Sequence, residues 1–180
     1  ITVNAAPMVQ FNAIPDACFD AAPYQITQAS ETGAVPGTFV FTGPGISSTG
    51  IFNPVLAGIG THIIKYTFTS TAGGCIDSMS RTIKVLDTAS AKFSLIGAAC
   101  DGIAASFREE SIAPAGVILN NTRWDFGDGS PLEDHAPGST FTHVFPAWGP
   151  YTITMYNVSD NGCRSTNKVQ SIFVNPIPQT

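Results

Sequence analysis

The sequence predicts an all-β chain of two tandem β-sandwiches, and three observations predict it. Strand signals recur without any helical period, two stretches repeat one another at domain scale, and each stretch closes with the same hairpin. Phe11 and Cys18 recur at the same separation as Phe93 and Cys100, and Gly60 stands as far before Val85 as Gly149 does before Val174. A repeat of that period marks units of domain size. With 180 residues, 43 % of them hydrophobic, the chain has material for two small cores rather than one large one.

The elements follow in order. Ile1, Thr2 and Val3 read like Ile83-Lys84-Val85 and Ile172-Phe173-Val174, so residues 1–6 are expected to be the closing strand of a preceding repeat or a linker. The first unit is placed at residues 7–87, the second at 88–176, and 177–180 are assigned to a linker. In the first unit, Thr61 to Thr69 puts Ile64, Tyr66 and Phe68 on one face, as the two-residue period of a strand requires. Ala72-Gly73-Gly74 then supplies turn chemistry and returns the chain into a strand ending at Val85. In the second unit Tyr151, Ile153 and Met155 face one way and the threonines the other, Asp160-Asn161-Gly162 turns, and the returning strand ends at Val174. The joint near Leu86 to Ser90 is short, and Pro7, Pro176 and Pro178 stiffen the equivalent joints through their fixed φ.

Composition excludes several functions. Only 12 % of residues are charged, the net charge is −5, and the 8 Lys and Arg are scattered singly, which leaves no electrostatic footprint for nucleic acid. No apolar run approaches the roughly 18 residues of a membrane span, so no membrane insertion is expected. The three histidines, His62, His135 and His143, sit in no nucleophile or metal motif, and no GxSxG, HExxH or P-loop occurs. No catalytic residue is assigned and no enzyme is expected.

The four cysteines, Cys18, Cys75, Cys100 and Cys163, fall one early and one late in each unit, without zinc spacing. Disulfides in an oxidising compartment are the plain reading, which places the chain outside the cell or on its surface. Three connectivities are possible. Within-unit pairs, Cys18 with Cys75 and Cys100 with Cys163, are favoured because each repeat brings its own pair, and each bridge would stabilise by about 4 kcal/mol. The alternative is Cys18 with Cys163 across the junction, since early and late positions of a sandwich can fall at opposite poles.

The second unit carries Trp124-Asp125-Phe126-Gly127-Asp128-Gly129-Ser130, then His143-Val144-Phe145, then Gly149-Pro150-Tyr151-Thr152-Ile153-Thr154. Trp124 and Phe126 alternate into a core, the Gly127-Asp128-Gly129 segment allows a tight reversal, and Asp125 is a turn residue bonding to backbone. The oxygens of Asp125, Asp128, Glu133 and Asp134 are those a calcium ion would take, although EF-hand spacing is lacking. No other cofactor is expected. Over residues 88–175 this order of motifs closely resembles the PKD domain family. The resemblance implies an immunoglobulin-like (PKD-type) β-sandwich, used mainly for extracellular binding and spacing. Trp148 departs from the family, which more often has a small residue there. In the first unit, Phe39 to Ile46, Phe52-Asn53-Pro54 and Gly60-Thr61-His62, with His62 in the place of Tyr151, look like the PKD-related, immunoglobulin-like repeats of large secreted proteins in Bacteroidota. Those proteins include gliding and adhesion filaments, and polysaccharide-degrading enzymes exported by the type IX system.

Further candidates stand on single residues. Trp148, between Pro146 and Pro150, reads as an aromatic packed on the adjoining loop or a neighbouring domain, or as one exposed to stack on a sugar ring. Glu109-Glu110 reads as a solvated strand end or loop, and Tyr24, Tyr66 and Tyr156 as sheet residues. Asp77-Ser78-Met79 and Asp87-Thr88-Ala89 resemble the short sites at which Bacteroidota attach O-glycans, with Ser78 and Thr88 as acceptors. Asn120-Asn121-Thr122 and Asn157-Val158-Ser159 fit the N-glycosylation pattern. Together these features predict a non-enzymatic extracellular repeat segment of a long bacterial surface protein, acting as stalk, adhesin or filament building block. The alternative is a carbohydrate-binding accessory module of a secreted polysaccharide-degrading enzyme. Expected partners are neighbouring repeats of the same protein and, for binding functions, polysaccharide or cell-surface components.

Overall fold

Alternating apolar and polar side chains build the long strands of the fold, seen in a computed structural model that describes residues 6–177. The Ile1-Thr2-Val3 triplet therefore lies outside the described residues. The chain divides between Asp87 and Thr88 into two compact units. The first contains β1 (Val9–Phe11), β2 (Ala17–Cys18), β3 (Tyr24–Gln25), β4 (Ala29–Glu31), β5 (Gly37–Thr42), β6 (Ile51–Phe52), a helical turn α1 (Pro54–Ala57), β7 (Gly60–Ser70) and β8 (Ile76–Leu86). The second contains β9 (Phe93–Ile96), β10 (Ala99–Cys100), β11 (Ala104–Glu109), β12 (Leu119–Asp125), β13 (Glu133–His135), β14 (Thr140–Val144), β15 (Gly149–Ser159) and β16 (Lys168–Asn175).

In the first unit one layer is the sheet β2-β8-β7-β5, and the pairs β1-β4 and β3-β6 make up the rest. Ile64, Tyr66 and Phe68 of β7 point inward together with Ile83 and Val85 of β8, onto Phe11, Ile26, Phe41 and Phe52. The expected face of β7 is thus the core face. The four-residue α1 has no counterpart in the periodicity, being too short to show one. Asn53 caps it, its Oδ1 accepting from the backbone N–H groups of Val55 at 3.0 Å and Leu56 at 3.3 Å, and Pro54 occupies the first turn, where its missing N–H costs nothing.

In the second unit a five-stranded sheet, β10-β16-β15-β12-β13, faces a three-stranded one, β14-β11-β9. Trp124, Phe126, Phe107, Phe145, Ile153 and Met155 fill the space between them. The two sandwiches repeat one another at the level of register. Gly60 lies opposite Val85 and Gly149 opposite Val174. Ala17-Cys18 runs parallel to Val85-Leu86, and Ala99-Cys100 runs parallel to Val174-Asn175. His62 Nε2 bonds the Gly58 carbonyl at 2.7 Å, and the Tyr151 hydroxyl donates to the Ala147 carbonyl at 3.0 Å, each reaching four residues back to latch the loop before its strand.

This register corrects the favoured cysteine pairing. Cys18 lies opposite Leu86, the last residue of β8, whereas Cys75 immediately precedes Ile76, the first residue of the same strand. A strand rises about 3.3 Å per residue, so the length of β8 separates them by roughly 30 Å. A disulfide needs Cα atoms within about 7 Å. Cys100 lies opposite Asn175 at the end of β16, while Cys163 sits in the turn before that strand, its carbonyl accepting from Ser159 N at 3.0 Å. Neither within-unit bridge can close. Cys18 and Cys163 are both disulfide-bonded, and Cys75 and Cys100 carry free thiols. Peptide mapping of the folded chain under non-reducing conditions is expected to alkylate Cys75 and Cys100 directly and to leave Cys18 and Cys163 protected. A linked peptide pairing Cys18 with Cys75 would contradict the register.

Candidate functional site

Two residues of the Trp124 to Ser130 run, Phe126 and Asp128, meet at one histidine, His143. Asp125 ends β12, and its Oδ1 accepts from Gly127 N at 2.9 Å, which turns the chain. Gly127 has φ +72°, and a Cβ placed there would lie 2.5 Å from the Thr152 carbonyl oxygen, so only glycine fits. Asp128 Oδ1 accepts from the backbone N–H and hydroxyl of Ser130, at 3.0 and 2.6 Å. Its other oxygen lies 2.8 Å from His143 Nε2, and His143 Nδ1 lies 2.7 Å from Glu133 Oε1. The second oxygen of Glu133 continues the chain to His135 Nε2 at 2.8 Å.

His143 is only 7 % exposed and stacks on Phe126 at 3.8 Å, while His135 stacks on Phe141. Carboxylate oxygens only accept, so the ring protonated on both nitrogens is the form that satisfies both contacts. The clamp joins the layers, since His143 belongs to β14 of the three-stranded sheet and Glu133 to β13 of the five-stranded one. Nearby, Trp124 Nε1 donates to the Thr122 hydroxyl at 2.8 Å, and that hydroxyl donates to the His135 carbonyl at 3.1 Å. The arrangement is a cross-sheet polar brace, with every acid–imidazole contact directed inward.

The four carboxylates considered for calcium are thus drawn into other bonds, Asp134 pairing through both oxygens with Arg123 at 2.8 Å. Among the described residues no group of three or more His, Cys, Asp or Glu is arranged to hold a metal ion. Glu109 differs from the solvated residue expected: it is 2 % exposed, and it accepts from Ser111 N at 2.8 Å and from Gly138 N at 2.5 Å, pinning a loop. Burial of an acid this deep follows from those two backbone donors. Glu110 stays at the surface with Lys92, 3.2 Å away. Tyr66 is in the first core and Tyr24 packs edge-on against Phe52, as sheet residues should. Tyr156 is a sheet residue too, on the outer face of β15, with the guanidinium of Arg164 3.5 Å above its ring.

Trp148 is 62 % exposed in the loop before β15. Ser78 is exposed on β8 and Thr88 is half-buried in the joint after it. Asn157 of one N-glycosylation pattern and Thr122 of the other are both buried in the folded chain. Among the described residues no helix is long and apolar enough to cross a membrane.

The turn, the histidine and the latched β15 glycine occur together in one sandwich, and the sequence comparison agrees with them. A PKD domain occupies residues 91–174. A comparison with curated proteins found no match. Among solved structures, the fibronectin(III)-like modules of Clostridium thermocellum CbhA share 13 % identity, with 94 % of this chain and 95 % of that one covered at a TM-score of 0.44. Extracellular domains 3–5 of Drosophila OTK share 12 % identity over 96 % of this chain and 60 % of that one, at 0.45. Drosophila N-cadherin EC1–4 shares 12 % over 97 % and 50 %, at 0.37.

In the PKD domain, burial alone would raise the Asp128 carboxyl, but bonds from Ser130 and His143 outweigh it and hold it down at about 2. Because folding lowers this pKa, the resulting stabilisation, about 2 kcal/mol, is complete above the ordinary aspartate value and is lost as pH falls through that of the folded state. Both tryptophans lie in the PKD domain, so their fluorescence reports its unfolding. Between about pH 5 and pH 2 the parent is expected to lose more unfolding free energy than Asp128→Asn, in urea titrations followed by that signal; equal losses would refute the clamp. Gly127→Ala is expected to cost about 1–3 kcal/mol in the same assay, from strain at positive φ and collision with Thr152.

Proposed function

We propose that this chain is a non-enzymatic extracellular repeat segment of a long bacterial surface protein, acting as stalk, adhesin or filament building block. The observation that carries the reading is one end-to-end plan used twice. Both units share the exit register, the latch four residues back, and a cysteine at each end of the closing hairpin. The first unit is then a PKD-related repeat that has lost the Trp124 to Ser130 turn and kept the frame. Disulfide bonding at Cys18 and Cys163 suits an oxidising exterior, and the PKD domain suits a binding or spacing role there. The titratable cluster supports the same reading, because its acids and histidines are aimed at one another rather than into a cleft.

Cys75 and Cys100 are the thiols that flanking repeats would bridge, and Ser78 and Thr88 are the acceptors a surface glycan would use. A second reading, a carbohydrate-binding accessory module, is favoured by one observation, the exposed Trp148.

Non-reducing peptide mass spectrometry of the natively secreted parent tests the first reading. The expected result is Cys75 and Cys100 linked to cysteines of neighbouring repeats, with sugar mass at Ser78 or Thr88; four reduced thiols and no glycan would overturn it. Sedimentation with an insoluble neutral polysaccharide separates the two readings. A repeat segment stays in solution whether or not it carries Trp148→Ala, whereas an accessory module sediments and is released by that substitution.

A further inference from the structure

We propose that the outer face of the five-stranded sheet in the PKD domain carries a subsite for one uronate ring of an acidic polysaccharide. The inference goes beyond the repeat-segment reading and does not rest on it. A cleft of about 290 Å³ opens there, lined in part by Arg123, Asp125, Thr154, Tyr156, Arg164 and Asn167. That volume lies at the lower end of ligand sites and suits a single ring.

Strand register builds the floor. Asp134, Arg123 and Tyr156 lie side by side across β13, β12 and β15, and Asp125 lies opposite Thr154 in the next inward-outward step along the same strands. Asp134 first, and the Tyr156 hydroxyl after it, hold the Arg123 proton more firmly than usual, and the bidentate pair with Asp134 matches its charge. Arg164 differs. Its guanidinium carbon sits 3.5 Å from the centre of the Tyr156 ring and its Nη2 donates to Asn167 Oδ1 at 2.6 Å, yet among the described residues no carboxylate forms an ion pair with it. The planar donor fork is therefore pre-positioned in a concave site with its charge unmatched, the arrangement that selects a carboxylate.

The remaining groups choose among carboxylate ligands. Asp125 lines the same cleft, one of its oxygens accepting from Gly127 N. A purely anionic side chain, as in an acidic peptide, would answer Arg164 and be repelled by Asp125. A uronate offers a carboxylate to Arg164 and ring hydroxyls that can donate to Asp125 and bond with Thr154 and Asn167. A neutral sugar would leave the guanidinium unanswered.

The test is titration of the full, isotope-labelled chain, followed by amide chemical shifts, with galacturonate and glucuronate oligomers, matched neutral galactose and glucose oligomers, and an Asp/Glu-rich peptide. At least one uronate oligomer is expected to move the amides around Tyr156, Arg164 and Asn167. Arg164→Gln should weaken that binding about tenfold or more, the scale of one charge-assisted hydrogen bond. Arg164→Lys should fail to restore it, because the flat fork is lost, and Trp148→Ala should leave it unchanged. Arg164 is exposed, and unchanged tryptophan fluorescence and urea midpoint would show that its variants remain folded. No shift at tens of millimolar uronate, an equal response to neutral oligomers or to peptide, or binding that survives Arg164→Gln would each overturn the assignment. Any of those results leaves the repeat-segment reading standing, since that is read from disulfide and glycan mapping of the parent.

Discussion

Everything else in each sandwich hangs on the register of its long hairpin. Pairing Gly60 with Val85 turns Ile64, Tyr66 and Phe68 inward, and pairing Gly149 with Val174 does the same for Ile153 and Met155. Side chains alternate with a period of two, so a slip of one residue would send each of these sets into solvent and bring threonines into the core. The glycines that open the two hairpin strands have φ of +127° and +141°, a conformation that side chains rarely adopt. The local backbone requirement and the hydrophobic stripe thus select the same pairing, and agreement between levels of that kind singles out one fold.

The two units close their cores by different means. The first relies on rings: Phe41 meets Tyr66 at 4.9 Å and Phe11 at 6.2 Å, all edge-on. The PKD domain has its own aromatic cluster around Trp124 and adds the Asp128–His143–Glu133 brace between sheets. A buried polar chain is favourable only when its members are satisfied, and here carboxylates meet both imidazole nitrogens while Ser130 takes up the spare oxygen of Asp128. Such directional bonds fix how the layers face each other more narrowly than ring packing can.

The fold was legible because its determinants are local. Period-two stripes in β7 and β15, glycine turns and the repeated spacing all sit within short windows of sequence. The cysteine pairing is legible only as two alternatives, since it depends on which end of a long strand each sulfur occupies, and setting Cys18 beside Leu86 is what rules out the within-unit bridge. The burial of Glu109 is hidden for a similar reason: one of its two backbone donors, Gly138 N, is far along the chain. His143 could be recognised as part of a motif, but its partners Asp128 and Glu133 are brought to it by the turn after β12 and by β13. The platform of Arg164 on Tyr156 depends on the path of the turn between β15 and β16, which residue types do not specify.

Placing one sulfur at each end of β8 has a mechanical side. Cys75 joins that strand directly through Ile76, and Cys18 grips its far end through the two-residue parallel pairing with Val85 and Leu86. Tension applied between those two sulfurs would run along the strand axis. The short β2 ladder would carry it in shear, its bonds sharing the strain at once, while the long antiparallel ladder to β7 would hold β8 from the side without being peeled open. The sandwich would then transmit force through one central strand and leave its core packing largely outside the path.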